Sequence, residues 1–337
     1  MSRILAHRAV LGVFALTVAL FVLSGFIAPA LLSGPSLRTV ALLSSFVIIA
    51  SLGQGIVILS GGLDLSIGSV ITLGGVLLGA WVPQSNVGLW WAVPVILAIG
   101  TAFGAFNGFG VTILRIPAFV MTLATGIIVQ SAVLEYTNGA PQATAAPQLI
   151  ADLTDSKWWG LPIIIYLVLA FIVIGSLVQD MSSYGRLVHA IGANPKAGVV
   201  AGLRSNWVTI GCYAISGFCA SLCGIVLLGF VGAPILSMGD PYTIESIAAV
   251  VVGGSSILGG VGTFAGTVGG ALFLGVLSND MTAIGMKAAW RTLIQGAIIV
   301  LALIVFRSLQ AERNRGRAGG PMAGAKERLL GARKPAE

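Results

Sequence analysis

Long runs without an ionisable side chain alternate with short polar clusters along the whole chain. Asp64 alone interrupts the interval from Arg38 to Arg115, with 25 uncharged residues before it and 50 after it. Further silent runs cover 9–37, 116–134, 158–179, 205–239, 246–279 and 292–306. A helix crossing a bilayer needs about 20 mostly apolar residues, and a charge at its centre costs several kcal/mol. The pattern therefore predicts an all-α, polytopic membrane helical bundle of about ten segments. They fall at Val10–Leu32, Val40–Ser60, Ile67–Val82, Trp90–Leu114, Pro117–Leu134, Leu161–Gln179, Trp207–Val231, two within Ile244–Asn279, and Ala289–Phe306.

The apolar runs hold unusually many glycines, 46 in the chain. In a bilayer glycine permits close helix contact and local unwinding, so a tightly packed bundle with broken helices is expected. Gly253, Gly254, Gly259, Gly260 and Gly262 punctuate one stretch. The 14 residues Glu245–Leu258 would make a helix of roughly 21 Å, short of a full span. A re-entrant hairpin, a pair of short broken helices, or simple close packing all fit there. The loop Glu135–Trp159 reads as an irregular cap with Trp158 and Trp159 as interfacial anchors. In the loop Asp180–Asn206, Pro195 suits the first turn of a short helix capped by Asn194.

Composition agrees: 57% of residues are hydrophobic and 9% charged. Basic flanks stay cytoplasmic. With both termini inside, 14 of the 18 Lys and Arg residues fall on that side, eight of them beyond Phe306. The formal charge of +7 then faces anionic lipid and does not call for nucleic acid. Residues 1–309 form one transmembrane domain, and the basic tail 310–337 is expected to be disordered. The first apolar run reads as a retained helix, since no small-residue cleavage site precedes Gly34 and Pro35. Cys212, Cys219 and Cys223 share one helical stripe as small packing residues, with no disulfide or metal site indicated.

Some chemistry is excluded. None of the five lysines is followed by Ser or Thr, so there is no P-loop to cradle a nucleotide. No Gly-x-Ser-x-Gly elbow or His-Glu-x-x-His motif occurs. Relay residues of a coupled transporter are limited to Asp64, Glu245, Asp280 and Arg291, each near a predicted segment end. No catalytic or metal site is assigned.

The run Ser60-Gly-Gly-Leu-Asp-Leu-Ser-Ile-Gly-Ser69 resembles the motif of permease subunits in the ribose-type sugar importers of the ABC superfamily. Pro117–Leu123, Tyr136–Gly139, Gly185–Leu203 and Ala248–Gly275 resemble further family segments in the expected order, covering roughly Val40 to Phe306. His189 and Ala193 stand where that family often has an aromatic residue and glycine, and Leu63 and Ile67 are conservative replacements.

The resemblance implies a plasma-membrane permease that binds no cofactor itself. It would pair with a second permease copy or a similar permease. Cytoplasmic ATPase subunits would use the ATP, and an extracytoplasmic solute-binding protein would deliver the solute. Gly185, Arg186, His189, Gly192, Asn194, Pro195, Lys196 and Gly202 would belong to the segment meeting the ATPase. Gly61, Gly62, Asp64, Ser66 and Gly68 would form the family motif.

Asp64 follows two glycines and can cap the third helix with Ser66 nearby; direct solute contact is the alternative. Arg186, Lys196 and Arg204 could dock an ATPase or serve only as positive-inside anchors. Gln54, Asn107, Thr122, Thr125 and Gln130 are candidates for lining a path for a neutral polar solute, against interhelical hydrogen bonding. The expected function is passage of a monosaccharide or related polyol, driven by ATP used elsewhere. The alternatives are a self-sufficient channel or facilitator, and a structural membrane anchor.

Overall fold

The computed structural model describes residues 3–140, 144–200, 202–287, 289–291 and 293–298, with Val300, Leu301 and Ile304 beyond. Its helices are α1 Arg3–Ile27, α2 Gly34–Leu59, α3 Ile67–Trp81, α4 Leu89–Thr112, α5 Ala118–Tyr136 and α6 Gln148–Asp155. They continue with α7 Ile163–Ser176, α8 Ser183–Ala193, α9 Pro195–Val200, α10 Ser205–Val231, α11 Asp240–Val252 and α12 Phe264–Ala283. Residues 289–291 and 293–298 are also helical. A helix therefore stands in every predicted segment. Five of them, in α2, α4, α5, α10 and the run Ile163–Met181, are long and apolar enough to cross a membrane. The chain is a helical, multi-pass membrane protein.

Helices α2 and α10 form the centre. Most of α2 beyond Ser44 is buried, and α10 is buried on Cys212, Ser216, Cys219 and Cys223, one stripe at helical spacing. Peripheral helices turn apolar side chains outward instead. On α5, Phe119, Ile127 and Ile128 are exposed while Met121, Thr122, Thr125, Val129 and Val133 face the bundle. Trp90, Trp158 and Trp159 are exposed at helix ends or in loops, where an indole suits the lipid–water boundary.

Close approach depends on glycine. A methyl group at Gly104 would run into the Tyr213 carbonyl, and one at Gly217 into the Gly100 carbonyl, so α4 and α10 meet backbone to backbone. Gly253, Gly266 and Gly270 do the same between α11 and α12. This is the small-residue packing used where water supplies no drive for helix association.

Two expectations need correction. The loop after α5 is not simply irregular: it contains α6, amphipathic by its buried Ile150 and Thr154, which lies on the end of α10. The Ala146 amide donates to the Gly232 carbonyl at 2.8 Å, which fixes the loop there. Secondly, the first of the two segments expected within Ile244–Asn279 starts earlier, at Asp240, and stops at Val252. The tail 310–337 lies outside the described residues.

Replacing Gly104 by Ala places a methyl against immovable backbone, and overpacking of this kind costs about 1–3 kcal/mol. The thermal midpoint of the detergent-purified protein should fall by several degrees. Gly12→Ala, with open space around it, should leave that midpoint unchanged.

Candidate functional site

The segment between α2 and α3 carries the Gly61–Gly68 motif and is braced by several neighbouring helices. α2 ends in a Schellman turn: the Gly62 amide donates to the Val57 carbonyl at 3.0 Å and the Gly61 amide to Ile58 at 2.9 Å. Gly61 has φ +90°, a left-handed conformation that favours glycine. A side chain at Gly62 would collide with the Tyr213 hydroxyl. At 15 residues, α3 is about 22 Å long against a hydrocarbon core of about 30 Å. The loop therefore sits inside the bundle and needs internal partners for its polar groups.

Those partners come from three helices. Asp64, 1% exposed, accepts the Ser66 amide at 3.0 Å and the Ser66 hydroxyl at 2.6 Å on Oδ1. Its Oδ2 accepts the Ser216 hydroxyl of α10 at 2.7 Å. Asn107 of α4 donates its Nδ2 to Ser66 Oγ at 2.9 Å. Thr122 of α5 accepts the Leu65 amide at 3.1 Å, and Tyr213 of α10 donates to the Leu63 carbonyl at 3.3 Å. Just beyond the loop, α11 holds the start of α3, where the Gly68 amide donates to Thr243 Oγ1 at 3.1 Å. A side chain at Gly68 would strike both Thr243 and the Gly239 carbonyl.

Asp64 accepts a backbone N–H at the start of α3, as expected, but it does not hold the N-cap position itself. Ser66 occupies the N-cap position, and Asp64 clamps Ser66 to α10 from two residues upstream. Among the described residues its hydrogen-bond partners are serines, with no cation.

A second contact joins this loop to two distant segments. α8 is capped by Ser182, whose hydroxyl accepts the Gly185 amide at 3.0 Å, and it buries Gly185, Val188, Ile191 and Gly192. A side chain at Gly192 would overlap the Leu59 carbonyl at the end of α2. That carbonyl accepts the Gly260 amide at 2.9 Å, and His189 Nδ1 lies 3.3 Å from the Gly260 carbonyl. Gly259 and Gly260 both have positive φ; a side chain on Gly259 would press on Gly61, and one on Gly260 on Ala193. The end of α2, the end of α8 and the link from α11 to α12 therefore meet backbone to backbone, with His189 as a side-chain contact beside them. Asp180, in the π-helical turn after α7, reinforces the link by accepting the Phe264 amide at 3.3 Å.

Other candidates are distributed as follows. Asn194 Oδ1 accepts the Ala197 amide at 3.1 Å, with Pro195 opening α9, which also carries Lys196. Arg186 is exposed and folded onto Met181 and Ser183. Arg204 is exposed and Gly202, with φ +73°, makes a turn. Gly254 has φ +86° in the link, and Gly262 packs on Ser255.

The five path candidates do not form one group. Asn107 and Thr122 serve the Asp64 loop, Thr125 is buried beside them on α5, and Gln54 is buried in α2 with neither amide atom bonded. Gln130 donates Nε2 to the Leu236 carbonyl at 2.8 Å and lines a groove of about 260 Å³ between α3 and α5, shared with Leu65, Ser69 and Ser131. Tyr213, Ser216 and Thr243 were not singled out from sequence. Ser216 was findable, because it continues the stripe of Cys212, Cys219 and Cys223 as its one strongly polar member.

A family model described as branched-chain amino acid transport system / permease component matches residues 36–303. Ribose import permease protein RbsC of Haemophilus influenzae is 31% identical over 260 residues, covering 76% of this chain and 80% of that protein. Probable ABC transporter permease protein y4mJ of Sinorhizobium fredii is 30% identical over 309 residues, 91% of this chain and 92% of that one. Fructose import permease protein FrcC of Rhizobium meliloti is 31% identical over 268 residues, 76% and 73% of the two chains. No solved structure matches.

Asp64→Asn removes an acceptor from the Ser216 hydroxyl, a loss of about 1–3 kcal/mol for a buried group left unpaired. Thermal stability and membrane accumulation should drop, and Ser216→Ala, which leaves Asp64 Oδ2 without its donor, should produce a drop at least as large. Wild-type stability combined with lost solute passage would instead place Asp64 in contact with solute.

Proposed function

The chain belongs to the family of branched-chain amino acid transport system permease components, and from that membership we propose that it is the membrane-spanning subunit of an ATP-driven importer. Its solute is a small neutral polar molecule, a monosaccharide or related polyol, in keeping with the ribose and fructose permeases among its relatives. ATP is hydrolysed by separate cytoplasmic ATPase subunits, consistent with a sequence that lacks a P-loop. A solute-binding protein delivers from outside, and a second copy or a similar permease completes the path. The chain itself binds no cofactor.

The observation that carries this reading is the backbone junction of Leu59, Gly192 and Gly260. A force applied to α8 reaches both the Asp64 loop and the α11–α12 link without passing through any side chain that could rotate out of the way. This is the form of contact a coupling segment needs, since it transmits displacement without yielding.

α8 and α9 then face the cytoplasm together with both termini, in agreement with the distribution of Lys and Arg. On that orientation the chain crosses ten times, with α11 and α12 entering as a short, glycine-linked pair. Residues 1–309 make up the permease domain, and 310–337 a basic cytoplasmic tail. The groove at Gln130 opens on the exposed face of α5 and is the side on which a partner permease would enclose the path.

Gly192→Ala in the assembled transporter should reduce solute uptake at least tenfold and abolish solute-stimulated ATP hydrolysis, while insertion and ATPase co-purification persist. Uptake and stimulation at wild-type level would overturn the junction as a coupling element. Charge reversal at Arg186 and Lys196 should weaken ATPase co-purification; intact co-purification would leave them as membrane anchors only. Solute flux through the reconstituted chain alone, without ATPase or binding protein, would point to a channel.

A further inference from the structure

At the end of the bundle away from α8, a cavity of about 370 Å³ lies between α2, the end of α10, α11, α12 and the helical residues 289–291 and 293–298. Its volume falls in the range of about 300–1,000 Å³ common to small-molecule sites. The walls are apolar and aromatic, including Val47, Leu227 and Phe230, and a few polar groups converge on one side.

Those groups are incompletely partnered. Glu245 Oε1 accepts Gln295 Nε2 at 2.8 Å, and the same nitrogen lies 3.2 Å from Ser278 Oγ. Arg291 donates Nη1 to Thr282 Oγ1 at 2.7 Å, while its Nε–H is buried without a partner among the described residues. Gln295 is 8% exposed. A buried N–H left unpaired is destabilising unless something occupies the space before it.

We infer that this cavity is a solute-binding site within the single protomer, separate from the groove at Gln130, and that it takes a neutral polyhydroxylated molecule. The carboxylate and the guanidinium offset each other, so the occupant need carry no net charge. Arg291 keeps N–H groups beyond the one given to Thr282, and Glu245 keeps acceptor capacity beyond its one bond from Gln295. A hydroxyl meets both, accepting from the first and donating to the second, and the apolar wall covers the carbon-bound hydrogens of a sugar ring. The inference deepens the proposed function and rests on it for the solute class. It adds an outer site that a solute reaches before the path between permeases.

Saturation-transfer NMR on the purified chain in lipid nanodiscs tests this, with D-ribose and D-fructose as probes and L-leucine as a zwitterionic comparator. Saturable sugar signals are expected, with affinity falling at least tenfold in Arg291→Lys and Gln295→Leu and unchanged in Gly12→Ala. Thr282→Val, which keeps the shape of the wall, should give a smaller fall and serves if either polar variant does not fold. Sugar binding that is absent, or equal in all variants, overturns the site, and so does binding of leucine alone. Uptake by cells carrying the whole transporter separates the two readings: sugar uptake without sugar binding here removes only this cavity, whereas loss of both removes the sugar importer as well.

Discussion

A carboxylate buried without a cation must be stabilised by hydrogen-bond donors, and in a bilayer those donors have to come from the protein. Asp64 obtains them from Ser66 and from Ser216 on α10, and Ser66 in turn is fixed by Asn107 on α4. The arrangement sets geometry well beyond the loop. For Ser216 and Asn107 to reach the motif, α4 and α10 must lie close to the start of α3. The glycines at 100, 104 and 217 permit that approach by removing side chains from the seam. Thr122 and Thr243 then tie α5 and α11 to the same few residues. The polar knot specifies position, and the glycine seams let the helices come near enough to satisfy it.

Much of this was legible in the chain. The spacing of charges located every long helix, because the cost of a charge in hydrocarbon leaves a signal that needs no tertiary information. Gly253–Gly262 was visible as a break for a similar reason: helices tolerate only so many glycines. What could not be read was which glycines meet. Gly192, Gly259 and Gly61 are far apart in sequence, and nothing in their local composition says that they share one contact. Asp64 was conspicuous, but its role was misplaced by two residues. A cap is a local motif that sequence suggests, whereas the hydroxyl from Ser216 arrives from 152 positions away.

The path candidates show the same limit from the other direction. Uncharged polar residues in apolar helices either line a path or bond to neighbouring helices, and composition does not separate the two. Asn107 and Thr122 are bracing residues, and Gln130, chemically no different from Gln54, both braces the Leu236 carbonyl and borders a groove. The difference lies in which face of the helix they occupy relative to α3, and that is fixed by the Asp64 loop.

The breaks in regular structure are also not scattered. The α2–α3 loop, the α11–α12 link and the end of α8 lie in contact, and each is a place where the backbone leaves helical geometry inside or beside the bundle. Continuous helices resist bending because every turn is held by its own hydrogen bonds, so motion in a bundle concentrates where those ladders stop. Here three such stops touch through Leu59, Gly192 and Gly260, and the touching atoms are backbone with no rotamers to absorb a displacement. A displacement of one therefore bears directly on the backbone of the other two.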